Sequence, residues 1–243
     1  MSFMLSADPR PSLLVRARSY GARAILRQIR RMAMAAALCS AALFAAPAIA
    51  SATSPPPVKI VALGDSLTAG LGLADSASFA ARLQAALAAK GIAAEIANAG
   101  VSGDTAADGL ARLDWSVPQG TAAVIVELGA NDMLRGIAPE VTRAALDSIL
   151  RRLTQRHIAV LLCGMRAAPN LGADYGAAFA RIYPELAARY GVLLYPFFLD
   201  GVAADLKLTQ PDGMHPNAEG VDVIVERILP KVQELIARAQ KPA

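Results

Sequence analysis

Residues 58–70 read VKIVALGDSLTAG. The first six, Val58 to Leu63, are mostly apolar and partly β-branched, the composition of a buried strand. They run into Gly64-Asp65-Ser66, and a helical pattern rich in Ala and Leu begins at Phe79. A serine carried by a glycine turn at the carboxyl end of a first strand stands where open α/β sheets keep their reactive groups. The same residues also suit a plainer role, with Ser66 capping a helix and Gly64 permitting the turn. The choice between the two rests on the rest of the chain.

Working outward, Phe79 to Lys90 has apolar residues at helical spacing and stops at Gly91. Ala93 to Ala97 is a weak strand, Asn98 to Thr105 a glycine-bearing loop, and Ala106 to Leu113 a short helix with Trp115 expected to pack behind it. Ala122 to Leu128 (AAVIVEL) is the strongest strand pattern, with Gly129 to Asp132 as the loop beyond. Pro139 to His157 is a helix, Ile158 to Cys163 a strand, and Gly164 to Gly172 a loop. Tyr175 to Tyr190 is helical, with Pro184 expected to kink or split it. Val192 to Tyr195 is the last strand, and Asp200 to Leu208 suggests a short helix. Thr209 to Asn217 is a loop, and Ala218 to Ala239 a closing helix kinked at Pro230. Strands alternating with helices predict an α/β fold: a three-layer α/β/α sandwich around a five-stranded parallel sheet.

The front of the chain is of another kind. Residues 1–31 carry seven arginines against the single acid Asp8, and Met32 to Ala50 is apolar, dominated by alanine and closed by Ala48-Ile49-Ala50. A basic segment, an apolar segment and a small-x-small end describe a signal peptide over residues 1–50, with cleavage expected after Ala50. A retained membrane anchor is the alternative, but the apolar run is at the lower edge of spanning length. Ser51 to Pro57 (SATSPPP) reads as a linker, and residues 58–243 as the single folded domain. The leader holds much of the positive charge. Of 24 basic and 20 acidic residues in the chain, 17 and 19 lie beyond Ala50. Such a balance speaks against nucleic acid as a partner. Past the leader one cysteine remains, Cys163, so no internal disulfide is available there.

The chain has two histidines. His157 ends a helix and is expected to cap or pack. His215 lies in Asp212-Gly213-Met214-His215-Pro216, where an aspartate three residues earlier can accept Nδ1–H and leave Nε2 to face a serine. That is the logic of a nucleophile, a base and a carboxylate that orients the base, with Ser66, His215 and Asp212 in those roles. Acyl transfer also needs donors where charge develops on the carbonyl oxygen. The backbone N–H of Ser66, the backbone N–H of Gly103 and the side-chain amide of Asn131 could form that oxyanion hole. Each residue has a plainer reading as a turn or cap, but matched chemistry in four loops favours the joint one. Asp65 reads as a structural acid in the turn. A metal site lacks ligands, with His215 the one histidine among these loops and no cysteine cluster in the domain. Phosphate cradling by Gly64 to Gly72 lacks the lysine of a P-loop. The G-x-S-x-G elbow of ordinary α/β-hydrolases is absent, since Thr68 stands where its second glycine would be.

Gly64-Asp65-Ser66-Leu67, Gly103, Asn131 and Asp212-x-x-His215 resemble the four blocks of the SGNH (GDSL) hydrolase family. The phrases GDSLTAG, NAGVSGDT, VELGANDMLRG, IYPELA and DGMHPN are similar to its periplasmic thioesterase–lysophospholipase–arylesterase group, in order, from about Lys59 to Arg238. The resemblance implies a flavodoxin-like fold, an acyl-enzyme on Ser66 and the roles given above for Asp212, His215, Gly103 and Asn131. It implies no cofactor, small acyl ester or thioester substrates, a monomer and no stable membrane anchor after cleavage of the leader. Ala130 departs from the pattern, since relatives often carry a second glycine there. The loop from Arg166 to Tyr175 corresponds to a mobile loop over the acyl site and differs in its residues. A carbohydrate O-deacetylase of the same fold and a non-catalytic envelope binding protein are the alternatives.

Overall fold

A computed structural model describes residues 27–28 and 56–241. The leader (apart from Arg27 and Gln28), its expected cleavage site and Ser51 to Pro55 of the linker lie outside the described residues. The chain divides into two units, residues 1–54 and 55–243, and the account below concerns the second. Among the described residues no helix is long and apolar enough to cross a membrane.

Five strands form one parallel sheet: β1 (Val58–Gly64), β2 (Ala94–Gly100), β3 (Ala123–Glu127), β4 (Ala159–Cys163) and β5 (Leu193–Tyr195), in the order β2-β1-β3-β4-β5. The α/β sandwich expected from the alternating pattern is thereby observed. Every residue of β3 is buried, and in β1 only Lys59 is exposed. Central strands covered on both faces read as continuous apolar runs, which is why these two were the clearest in the sequence. β2 lies at the sheet edge and is largely exposed, so its pattern was weak.

The remaining elements sort onto the two faces. One face carries α2 (Phe79–Ala89) and α8 (Ala218–Ala239), which touch each other. The other carries α3 (Ala106–Ala111), α6 (Pro139–Gln155) and α7 (Ala173–Tyr190). The shorter helices α1 (Ser66–Ala69), α4 (Leu113–Ser116) and α5 (Ala130–Leu134) follow β1, α3 and β3. Pro184 and Pro230 each sit inside one continuous helix, and neither splits it. An interior proline costs about 3 kcal/mol. In α7 the buried Phe179, Ile182, Tyr183, Leu186 and Ala187 flank it. Burial worth roughly 1.5–3 kcal/mol per large apolar side chain outweighs that cost.

Three expectations are corrected. Gly129 to Asp132 is not a plain loop, because Gly129 (φ 115°) leads directly into α5. Asp200 to Leu208 forms successive turns rather than a helix. Trp115 is 72% exposed instead of packing behind α3. Its ring lies 6.0 Å from the Arg112 guanidinium, and the apolar interior behind it is closed by Leu113 and Val117.

The strand order reverses between β1 and β3, so the chain leaves their carboxyl ends in opposite directions and opens a crevice there. Gly64 of β1 registers with Glu127 of β3 at that point. The segments carrying Ser66 and Asn131 therefore start side by side. Gly103 arrives from the loop after β2, and His215 from the loop before α8.

Candidate active site

Asp65 caps α1, its Oδ1 accepting the Leu67 N–H at 3.0 Å, and this sets Ser66 as the first residue of the helix. Gly64 permits the turn because nothing larger fits. A Cβ there would collide with Thr68 Oγ1 and stand 2.7 Å from both the carbonyl and the carboxyl oxygen of Glu127. Ser66 itself is 8% exposed and faces the crevice.

The histidine arrives on a braced loop. Thr209 bridges Pro216, and Gln210 donates through Nε2 to Leu71 O (2.7 Å) and Pro216 O (2.9 Å), tying this loop to the one after α1. Gly213 takes φ 68°, a left-handed turn that lets Asp212 Oδ1 accept the N–H groups of Met214 (2.9 Å) and His215 (3.0 Å). Asp212 Oδ2 lies 2.6 Å from His215 Nδ1, and His215 Nε2 lies 2.9 Å from Ser66 Oγ. The backbone donors of Met214 and His215, followed by the imidazole, hold the Asp212 carboxyl down at about 2. It is therefore ionised wherever the histidine is neutral. A charged carboxylate at Nδ1 fixes the tautomer with hydrogen on Nδ1, which leaves Nε2 able to take a proton from the serine.

Gly103 (φ 88°) and Asn131 complete the constellation read from the sequence. Thr105 and Asp108 form a reciprocal capping box at the start of α3, which fixes the chain immediately after Gly103. Arg135 Nη2 donates to Gly103 O at 2.6 Å. Asn131 Nδ2 donates to Asp65 Oδ2 (3.1 Å) and to Asp104 O (3.0 Å). Both amide hydrogens are thus engaged at rest, and the oxyanion role expected of Asn131 requires one of them to turn.

Sequence reading missed four supports of this arrangement. Arg112 is buried, and four of its five N–H groups are engaged. Nε meets Asp104 Oδ2 at 2.5 Å, Nη1 meets Ala99 O and Ser116 Oγ, and Nη2 meets Gly64 O at 2.8 Å. One guanidinium thus ties β1, β2 and the Gly103–Asp104 loop together. Asp132, 1% exposed, accepts Ala106 N–H and Thr142 Oγ1–H. Glu127 is fully buried beneath Gly64 and accepts Thr68 Oγ1–H at 2.7 Å. Arg135 is the fourth. Glu127 did leave a signal, a lone acid closing a strand that is otherwise apolar. Asp65, read as a structural acid, is fully buried, and loss of water raises its carboxyl to about 6 against the lowering pull of its hydrogen bonds. Cys163 is buried, its thiol pushed up by burial and then by Glu127, and it takes no part in the crevice. His157 lies just beyond α6 with φ 55°, its N–H bonded to Thr154 O.

Ser66, Gly103, Asn131 and His215 line one cleft of about 440 Å³. Its walls are mainly apolar, with Leu71, Met133, Leu134, Met165 and Met214 among them. Arg166 lies at the same cleft with its guanidinium 4.5 Å over the ring of Phe197. An apolar chain fits such walls, with its carbonyl placed against the polar floor.

Residues 62–223 match the GDSL-like Lipase/Acylhydrolase family. The chain is 39% identical over 178 residues to the esterase TesA of Pseudomonas aeruginosa, covering 73% of this chain and 89% of that one. It is 38% identical over 178 residues to thioesterase 1/protease 1/lysophospholipase L1 of Escherichia coli, covering 73% and 84%. The crystal structure of AlinE4, an SGNH-hydrolase family esterase, superposes with a TM-score of 0.64 at 45% identity, over 78% of this chain and all of that one. The chain belongs to the GDSL-like (SGNH) hydrolase family. It is an ester hydrolase of that type.

Proposed function

We propose that this protein hydrolyses carboxylic esters and acyl thioesters of small amphiphiles through an acyl-enzyme on Ser66. Lysophospholipids, acyl thioesters and aryl or alkyl esters fall in this class. The observation that carries the reading is the hydrogen-bonded line from Asp212 through His215 to Ser66 Oγ at the floor of an apolar cleft. Ser66 Oγ attacks the acyl carbonyl carbon while its proton passes to His215 Nε2. The carbonyl oxygen becomes an oxyanion held by the N–H groups of Ser66 and Gly103 and by the Asn131 amide. The tetrahedral species collapses and expels the alcohol or thiol, which takes the proton from His215. Water then attacks the acyl-enzyme, its proton accepted by His215 Nε2, and the acid leaves as Ser66 recovers its hydrogen. Asp212 stays ionised throughout and stabilises the imidazolium.

Support for a preference beyond acetyl is the volume and apolarity of the cleft. The basic and then apolar leader supports export to the periplasm or the medium, which N-terminal sequencing of the secreted or periplasmic product checks.

The test is a series of p-nitrophenyl esters of rising acyl length, run beside Ser66→Ala. Turnover with an optimum above acetyl, lowered about a million-fold by Ser66→Ala, is the expected result. Turnover confined to acetyl replaces this reading with an O-deacetylase. No turnover above the variant, in folded protein, ends it.

A further inference from the structure

The triad and the oxyanion donors leave one ionisable group of the site without a role. Glu127 closes β3 with no exposure to solvent, registering with Gly64 on one side and Cys163 on the other. Its Oε2 accepts Thr68 Oγ1–H at 2.7 Å. Its Oε1 receives no hydrogen from any donor among the described residues. Beside it, one residue past its register partner Gly64, stands the equally buried carboxyl of Asp65.

Two carboxyl groups sharing one water-free site cannot both be ionised. The hydrogen bonds decide which one keeps the proton. Asp65 already accepts two N–H groups, Leu67 N through Oδ1 at 3.0 Å and Asn131 Nδ2 through Oδ2 at 3.1 Å. Those donors favour its charged form. Glu127 accepts one hydroxyl on Oε2 and is left with Oε1 empty-handed, so a hydrogen on Oε1 both satisfies that atom and supplies Asp65 with a third donor.

We propose that Glu127 is a positioning residue, held as a neutral carboxylic acid whose Oε1–H binds Asp65 and fixes the carboxylate from which Ser66's helix and the Asn131 amide are hung. Asp65 is the joint of this arrangement. One oxygen sets the first turn of α1, and the other holds the amide expected to meet the oxyanion. A carboxylate free to rotate would release both, and a charged Glu127 would repel it. Burial, followed by the Asp65 charge, pushes the Glu127 carboxyl well above its ordinary 4.5, consistent with the geometric assignment.

The groups facing the pair come from every neighbouring element. They are Thr68 from α1, the Cys163 thiol from β4, and the Tyr183 hydroxyl from α7, whose hydrogen goes to Leu128 O. His215, from the loop before α8, lowers the Asp65 carboxyl. Cys163 and Tyr183 are both held neutral by burial, and the Arg112 guanidinium reaches Gly64 O next to Asp65, so the pair carries one negative charge.

The proposal rests on the hydrolase reading for its consequence but not for its proton. Difference infrared spectra of the wild type and Glu127→Gln at about pH 8 are expected to show the carbonyl stretch of a protonated carboxylic acid, present in the wild type and missing from the variant. With a p-nitrophenyl ester, Glu127→Gln, which keeps a neutral donor at the same place, is expected to retain kcat to within about threefold. Glu127→Leu is expected to lose about tenfold in kcat with KM within about twofold, the pattern of a lost transition-state interaction. Absence of the band, a Glu127→Leu variant with wild-type kcat, or a Glu127→Gln variant as slow as Glu127→Leu overturns the proposal. The infrared arm needs no turnover, so an inactive wild type would end the hydrolase reading and leave the proton assignment standing.

Discussion

Asp65 and Asp212 are the same residue type, and the fold drives them in opposite directions. Asp212 lies in a glycine-bearing turn with its side chain 39% exposed, and two backbone N–H groups hold its carboxyl at about 2. Asp65 is buried where β1 and β3 part company, and loss of water raises its carboxyl to about 6. The first keeps its charge at little cost and can lend it to His215. The second keeps its charge only with help from Leu67, Asn131 and Glu127. On the proposed mechanism the site has a wet half that handles the proton and a dry half that holds geometry. That division predicts that a side chain of the wet half can be removed without unfolding the protein, whereas the dry half is part of the fold.

The largest effect that tests this division is at Asp212. Asp212→Ala is expected to lower kcat about 1,000- to 10,000-fold, because the imidazole loses its tautomer and its counter-charge. Its melting temperature should fall by no more than a few degrees, since what the variant loses is confined to one exposed turn and the hydrogen bonds Oδ1 accepts from Met214 and His215. A large drop in melting temperature would show that the loop is structural and would erase the distinction between the halves.

Arg112 tests the dry half. Its guanidinium binds Gly64 O, Ala99 O, Ser116 Oγ and Asp104 Oδ2, and the Asp104 side chain is only 13% exposed. Removing one partner of a buried pair strands the other, at a cost of about 3–5 kcal/mol. Arg112→Leu is therefore expected to lower the urea midpoint markedly. It should also reduce kcat about tenfold at temperatures where the protein remains folded, by loosening the Gly103–Asp104 loop. Unchanged stability with reduced kcat would move Arg112 to the wet half.

The same division explains what could be read from residues alone. The buried strands β1 and β3 announced themselves as apolar runs, and the wet half announced itself as a motif, because an aspartate three residues before a histidine in a glycine turn matches the chemistry carried by three other loops. The dry half was nearly silent. Arg112 sits in a helical stretch where an arginine ordinarily points to solvent, and only the fold reveals that it points inward to three other segments. Gln210 braces the histidine loop through carbonyl groups that no side-chain pattern announces. Trp115 was placed inside on the strength of its size, yet the interior beside it is filled by Leu113 and Val117, and its ring is left to the Arg112 cation. Pro184 suggests a kink or a split and Pro230 a kink, but whether a helix continues past a local penalty of a few kcal/mol is decided by the packing on either side of the proline.

The smallest effect, and the one that isolates the dry half without assaying activity, is the slope of stability with pH. A carboxyl whose native value lies above its unfolded value binds more protons in the native state between the two. Stability is then greatest below the unfolded value and is lost as pH rises toward the native one. Glu127 behaves in this way from about its ordinary 4.5 upward, and Asp65 does so between 3.8 and about 6. Glu127→Gln removes the first of these contributions and keeps the hydrogen-bond donor. Urea unfolding from about pH 5 to pH 8 should show wild-type stability falling more steeply than that of the variant, by up to about 1.4 kcal/mol per pH unit for one proton. Asp212 opposes this from the other side, since its native value lies below its unfolded one and its contribution is lost only as pH falls through about 2. Over that range Asp212 adds no slope, and any difference between wild type and variant reports on the buried pair. Parallel slopes would mean that Glu127 is ionised in the native state and would overturn its assignment as a neutral donor.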